Sequence, residues 1–196
     1  MDRENLSLTL SVLGKLLYTY PDNVFLNKIK NTELFDEIPY ESQSAEFVKG
    51  RELLAEWQTS DGMYGELISD YQDLFVGVKD KVKTPAWESV YVSPDPVMFG
   101  ESTLNVRLWY DKYGLEIKNI RHEPDDHMGI ELIFWGHLVR TEPDEADRFF
   151  TKHISLWYER FFSSMAANAI TSFYKGLALI LYGICSDISR DISAKP

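Results

Sequence analysis

The chain has 196 residues, 44% of them hydrophobic, enough to bury a full core, and one domain over residues 1–196 is the expectation. Its 31 acidic side chains outnumber 20 basic ones, giving a formal charge of -11. Such a surface repels phosphate backbones, which argues against a nucleic-acid partner, and it attracts a cationic one such as a basic peptide.

Helical periodicity dominates from the start. Met1-Asp2-Arg3-Glu4-Asn5 is not the basic opening of a secretory signal. Leu6, Leu10, Leu13, Leu17 and Tyr20 then recur every three or four residues, and Pro21 is a stop. Leu8, Val12 and Leu16 widen that apolar face. Asp22 starts a shorter helix through Ile29, and Thr32 to Ile38 suits a third. Ser44 caps a helix carrying Phe47, Val48, Leu53, Leu54 and Trp57, interrupted by Gly50. After the turn Ser60-Asp61-Gly62, a helix runs from about Met63 to Val76 and stops at Gly77.

Residues 78 to 100 break the pattern. Lys79, Lys81 and Lys83 lead into Pro85, Trp87, Tyr91, Pro94, Pro96, Phe99 and Gly100, a connection with no helical period. Val90-Tyr91-Val92 reads as briefly extended. A connection this long inside a compact domain points to function, and its aromatic content argues against disorder.

Helical pattern returns over Ser102 to Tyr113, with Gly114 as its C-cap. Pro124 opens the next helix, which carries Met128, Ile130, Leu132, Ile133, Trp135, Leu138 and Val139. Glu142-Pro143-Asp144 opens another, leading to Phe149, Phe150 and Ile154. The last helices cover about Ser155 to Ala169 and Thr171 to Ser186. Leu177 to Ile184 is apolar but too short to cross a membrane, and Cys185 behind it suits a buried structural thiol. A single cysteine excludes an internal disulfide and a cysteine-based zinc cage. The fold class is all-α, a single helical domain of about nine to eleven helices without internal repeats.

Glu123-Pro124-Asp125-Asp126-His127 is the densest polar run. Proline and carboxylates suit a first helical turn, where the missing N–H costs nothing and negative charge meets the positive end of the dipole. The same run offers chemistry. His127 and Glu131 lie four apart on one helical face, as metal ligands do, and Asp126 beside His127 offers an acid–base pair, although adjacent helical residues point about 100° apart. A hydrolase using the His122–His127 cluster, dependent on a metal or a nucleotide, is therefore the alternative reading. There is no Gly-rich phosphate loop, nucleophile elbow or HExxH. Peptide binding needs apolar walls with a few placed polar groups. Tyr71, Leu74, Phe75 and Val78 fall at i, i+3, i+4 and i+7, a stripe that suits core and groove alike, while Trp87 and Tyr91 in the irregular connection lean towards a groove, for which Phe99 is a further candidate. Carboxylates at its rim would pair with arginine bidentately. Asp126 either meets the ligand or holds the turn from within. His127 is either a charge switch near neutral pH or a satisfied, half-buried ring.

Glu123-Pro124-Asp125-Asp126-His127 resembles the E-P-x-D-H signature of the TorD/DmsD family, cytoplasmic chaperones of molybdenum-containing reductases exported by the twin-arginine (Tat) route. Asp70-Tyr71-Gln72-Asp73-Leu74-Phe75 resembles that family's D-Y-x-x-L-F segment, and Pro85-Ala86-Trp87-Glu88-Ser89-Val90-Tyr91 its P-x-(W/Y)-x-S-V-(W/Y) segment. Val97-Met98-Phe99-Gly100-Glu101-Ser102-Thr103 is similar to the stretch before the following helix. Phe149, His153, Ile154 and Trp157 resemble its F-x-x-x-H-(L/I)-x-x-W pattern. The resemblance spans about residues 5 to 185, and its wording is nearest to the DmsD branch, which serves dimethyl sulfoxide reductase-like subunits.

The resemblance implies a cytoplasmic all-helical chaperone without catalytic activity, metal or cofactor. It would bind the twin-arginine leader of an apo molybdenum reductase subunit until molybdopterin is inserted, and then meet the Tat translocase. It maps the leader surface onto Tyr71, Leu74, Phe75, Trp87, Gly100, Pro124, Asp126 and His127; Tyr91, Phe99 and Glu123 complete the expected peptide site. Tyr71 stands where nearby members carry Trp. Relatives that bind guanine nucleotide or a molybdopterin precursor extend that possibility to this chain by resemblance only, as does occurrence as a monomer or a domain-swapped dimer.

Overall fold

The computed structural model describes residues 2–32, 35, 38–60, 64–77, 81–93, 99–116 and 123–195. Ten α-helices are present among them: α1 (Arg3–Tyr18), α2 (Asn23–Lys30), α3 (Ala45–Thr59), α4 (Tyr64–Tyr71), α5 (Glu88–Val92), α6 (Glu101–Lys112), α7 (Met128–Thr141), α8 (Pro143–Lys152), α9 (Tyr158–Asn168) and α10 (Ser172–Ser193). A π-helical turn, Gln72–Val76, continues α4, and a 3-10 turn, Ile154–Leu156, follows α8. No strand forms among the described residues; the only β-type pairing is an isolated antiparallel bridge between Trp87 and His127. The all-α expectation holds. The expected Thr32–Ile38 helix and the Ser60–Gly62 turn fall largely on residues outside those described, as do Val78, Pro94, Pro96 and His122.

Packing groups the chain into two compact units, each assembled from two stretches. The first joins Met1–Tyr18 to Ala86–Trp157, and the second joins Thr19–Pro85 to Tyr158–Pro196. In the first unit, α1 lies along α7. Leu6, Leu10, Leu13 and Leu17 are buried with Met128, Leu132, Trp135 and Leu138. Leu8 is an exception to the wide apolar face, at 56% exposed. The α1 and α7 backbones approach so closely that a Cβ on Gly14 would stand 2.7 Å from the Gly129 carbonyl oxygen.

In the second unit α3 lies along α10 in the same manner. A Cβ on Gly50 would stand 2.7 Å from the Gly176 carbonyl oxygen. Gly50 therefore does not interrupt its helix; α3 runs unbroken through it, because the missing side chain is what lets α10 approach. Ser44 caps α3 as expected, its hydroxyl accepting the Phe47 N–H, and Asp22 caps α2 through Phe25 N–H. Gly77 ends the π turn with φ 70°, and Gly114 follows α6 with φ 64°.

Two expectations near the polar run are corrected. Val90-Tyr91-Val92 is not extended; it is the end of α5. Pro124 does not open a helix either: α7 begins at Met128, with His127 as its N-cap. Residues 123–127 form a turn whose last residue bridges to Trp87, and that pairing keeps the backbone out of helical conformation until the cap.

Candidate functional site

The Glu123–His127 turn is built from hydrogen bonds that point in different directions. His127 N–H donates to the Pro124 carbonyl and closes the turn at 3.2 Å. On one side lies Ala86-Trp87-Glu88: Met128 N–H donates to the Ala86 carbonyl at 2.8 Å and Glu88 N–H to the Asp126 carbonyl at 3.0 Å.

Asp126 is the hub. It is completely buried, and its carboxylate accepts the Ser89 N–H at 2.8 Å, the Ser102 hydroxyl at 3.3 Å and the Thr103 hydroxyl at 2.9 Å. One side chain thus caps α5 and holds the first turn of α6 beside the approach to α7. A buried carboxylate is tolerable only with such donors around it. Between the two readings of Asp126, the geometry takes the internal one.

His127 is 4% exposed. Its Nδ1 accepts the Gly129 N–H at 3.0 Å, so the ring proton resides on Nε2. The ring stands edge-on to Tyr18 at 5.3 Å and to Trp87 at 6.4 Å. His127 is the satisfied histidine rather than a surface switch. Asp125 turns the other way, pairing with Arg107 at 2.5 Å while its carbonyl accepts the Tyr110 hydroxyl at 2.9 Å. Glu123 is half-buried and its Oε2 accepts the Trp87 indole N–H at 3.1 Å. Pro124 is buried beneath the turn.

The described residues of the His122–His127 cluster do not converge on one point. Asp125, Asp126 and His127 address three different neighbourhoods, His122 lies outside the described residues, and no group of three His, Cys, Asp or Glu suited to a metal exists among those described.

The apolar half of the expected site divides between the units. In the first, Trp87 is 8% exposed, and Tyr91 is half-buried with its ring 5.2 Å from Trp157. Phe99 stands out. It is 62% exposed and is the only non-glycine residue with positive φ among those described, at 61°. A phenylalanine in the left-handed region costs about 1 kcal/mol, here with its ring left in water. Gly100 beside it is the N-cap of α6.

In the second unit Tyr71, Leu74 and Phe75 are 2%, 0% and 6% exposed. Tyr71 packs edge-on against Tyr20 at 5.3 Å, and Phe75 against Tyr174 at 5.7 Å. They are core side chains, the other half of the reading given to that stripe. Asp70 just before them is buried and accepts the N–H groups of Ile170 and Thr171 and the Thr171 hydroxyl, which anchors the start of α10. The first letter of the D-Y-x-x-L-F segment is thus structural.

Sequence reasoning missed a buried acidic group in the first unit. Glu88 Oε2 lies 3.0 Å from His153 Nδ1, both side chains being almost fully buried. Glu131 is buried as well, and burial together with the charges of Glu88 and Asp126 holds its carboxyl well above the usual range. The signal was present as a glutamate inside the P-x-W-x-S-V segment and a histidine inside the F-x-x-x-H segment, but nothing local joins positions 65 residues apart.

Known proteins resemble this chain in sequence and fold. Residues 44–163 match the family model described as nitrate reductase delta subunit. A Tat proofreading chaperone DmsD from Salmonella typhimurium is 27% identical over 180 residues, covering 90% of this chain and 85% of that one. A probable DmsD of Haemophilus influenzae is 30% identical over 61% of this chain, and the match spans 58% of that protein's length. A chaperone protein TorD from Vibrio vulnificus is 27% identical over 61% of each chain. In structure, a protein from Archaeoglobus fulgidus described as a redox enzyme maturation protein superposes with a TM-score of 0.57 over 92% of both chains at 22% identity, a likeness of fold.

Proposed function

The chain belongs to the nitrate reductase delta subunit family, and from that premise we propose that it is a DmsD-like chaperone for the twin-arginine leader of a molybdopterin-containing reductase subunit. It holds a dimethyl sulfoxide reductase-like precursor in the cytoplasm until cofactor insertion and folding precede export, and it acts without catalysis or a cofactor of its own. The names carried by the Salmonella and Vibrio relatives support the partner class. No helix among the described residues is long and apolar enough to cross a membrane.

The observation that carries the reading is Phe99: its ring is exposed and its backbone sits at positive φ, and strained positions cluster at binding sites, which supports a binding role for it. Phe99, Gly100 and the half-exposed Tyr91 offer the leader's apolar segment a surface, and Glu123 offers its arginine pair a carboxylate. Asp126, His127 and Pro124 shape that surface from below, and Trp87 is fixed to Glu123. Tyr71, Leu74 and Phe75 act by keeping the second unit folded.

Calorimetric titration with a synthetic leader bearing an Arg-Arg pair and an apolar segment tests this. Phe99→Gly is expected to weaken binding by about tenfold while raising stability by about 1 kcal/mol, because it removes the ring and the strain together. Glu123→Gln and an Arg-pair-to-Ala leader should each weaken binding by a similar factor. Unchanged affinity in both protein variants would remove the leader from this surface.

A further inference from the structure

A second candidate surface lies in the first unit on a different set of side chains. A cavity of about 510 Å³ is lined by Asn105, Leu108, Trp109 and Lys112 of α6, by Lys152 at the end of α8 and by His153 after it. The α6 positions are spaced by three and four residues and so share a face. Leu104 continues that face one turn towards the helix start; it is 57% exposed and Leu108 is 66% exposed.

The charge here runs against that of the molecule. In a chain of formal charge -11, the lining carries two lysines and no carboxylate; Glu145 pairs with Lys112 beside it, and Lys152 is the cation an incoming group meets first. Lys112 is held over the Trp109 ring, 5.2 Å from its centroid, and it shows how a carboxylate docks nearby: Glu145 Oε2 accepts from Lys112 Nζ at 2.6 Å and from the Tyr113 hydroxyl at 3.1 Å. Lys152 is exposed and has no ion pair among the described residues. His153 is fixed from behind by Glu88 at 3.0 Å, so the cavity has a rigid back.

We propose that this cavity docks an acidic, apolar peptide segment of a protein partner, its carboxylates meeting Lys152 and Lys112 and its apolar side chains lying on Trp109, Leu108 and Leu104. The lysines repel an arginine pair, so the occupant is not the leader's basic end. Leu104, next to the lining residue Asn105, and Leu108 leave two exposed leucines one turn apart beside the lysines, apolar surface that a free anion does not use, and this selects a peptide over a small anion. The site stands independently of the leader reading.

The test is fluorescence anisotropy with a fluorescein-labelled peptide of sequence Glu-Leu-Asp-Asp-Leu-Phe-Asp-Leu and its Gln/Asn analogue. The acidic peptide should bind, and the amide analogue should bind about tenfold more weakly. Lys152→Glu and Leu108→Asp alter exposed side chains; each should weaken the acidic peptide by about tenfold while leaving the urea midpoint and leader affinity unchanged. Equal binding of the two peptides, equal binding by Lys152→Glu, or no binding up to about 1 mM overturns the proposal. Displacement of the peptide by inorganic phosphate at the peptide's own concentration also overturns it, because the cavity is then a small-anion site.

Discussion

Glu131 carries a testable consequence of burial. Neither carboxyl oxygen makes a hydrogen bond of normal geometry among the described residues, and Glu88 and Asp126 add negative charge nearby. Burial is the larger cause of its raised pKa, the two carboxylates come next, and the Trp157 indole works weakly in the opposite direction. In the unfolded chain the same group titrates near 4.5. The folded state therefore holds a proton that the unfolded state has released. The stability from Glu131 is complete below that unfolded value and is lost as pH rises through the folded one. Glu131→Gln keeps the shape and removes the titration. Its urea midpoint should match the natural protein near about pH 5 and exceed it increasingly towards about pH 8, by up to about 1.4 kcal/mol per pH unit within the window. Parallel stability curves would show that Glu131 is ionised in the fold. Residue roles of this kind were only half legible. Asp126 was visible as part of a polar run, but its three donors come from Ser89, Ser102 and Thr103, between 23 and 37 residues away.

Helix ends were the most legible elements, because their code is local. Asp22, Ser44 and Gly114 each sit within a few residues of the groups they satisfy. Helix α5 was hidden because its β-branched Val90 and Val92 favour extension and its cap is Asp126, far along the chain. The start of α7 was placed too early because the Trp87–His127 bridge outweighs the preference of Pro124 for a first turn. A further pattern lay in plain view: Gly129 and Gly136 in α7, and Gly176 and Gly183 in α10, are each seven apart. Two turns bring each pair to one face, where the partner helix, α1 or α3, comes close. Gly14→Ala and Gly50→Ala would each press a methyl group against a backbone carbonyl that cannot swing aside. Each should cost about 2–3 kcal/mol in urea denaturation. Gly65, in the exposed part of α4, has nothing within 4 Å of its virtual Cβ, and Gly65→Ala should add about 0.5–1 kcal/mol. Equal effects at the three positions would mean that helix propensity, not close approach, governs these glycines.

At the scale of the whole molecule, charge discriminates between the two proposed ligands. The formal charge of -11 attracts a basic leader from a distance, and Glu123 attracts its arginine pair locally, so both terms act in one direction. Salt screens both, with a Debye length of about 10 Å at 0.1 M. Leader affinity should therefore fall steeply, by about tenfold between about 0.05 and 0.5 M sodium chloride, mostly through slower association. An acidic peptide on Lys112 and Lys152 meets local attraction inside a repelling field. Added salt weakens both, so its affinity should change by less than about threefold over the same range. Measuring both peptides on one protein sample cancels any effect of salt on folding. A leader as indifferent to salt as the acidic peptide would mean that the excess of carboxylates serves solubility alone. The apolar contact at Phe99 would then have to account for recognition by itself.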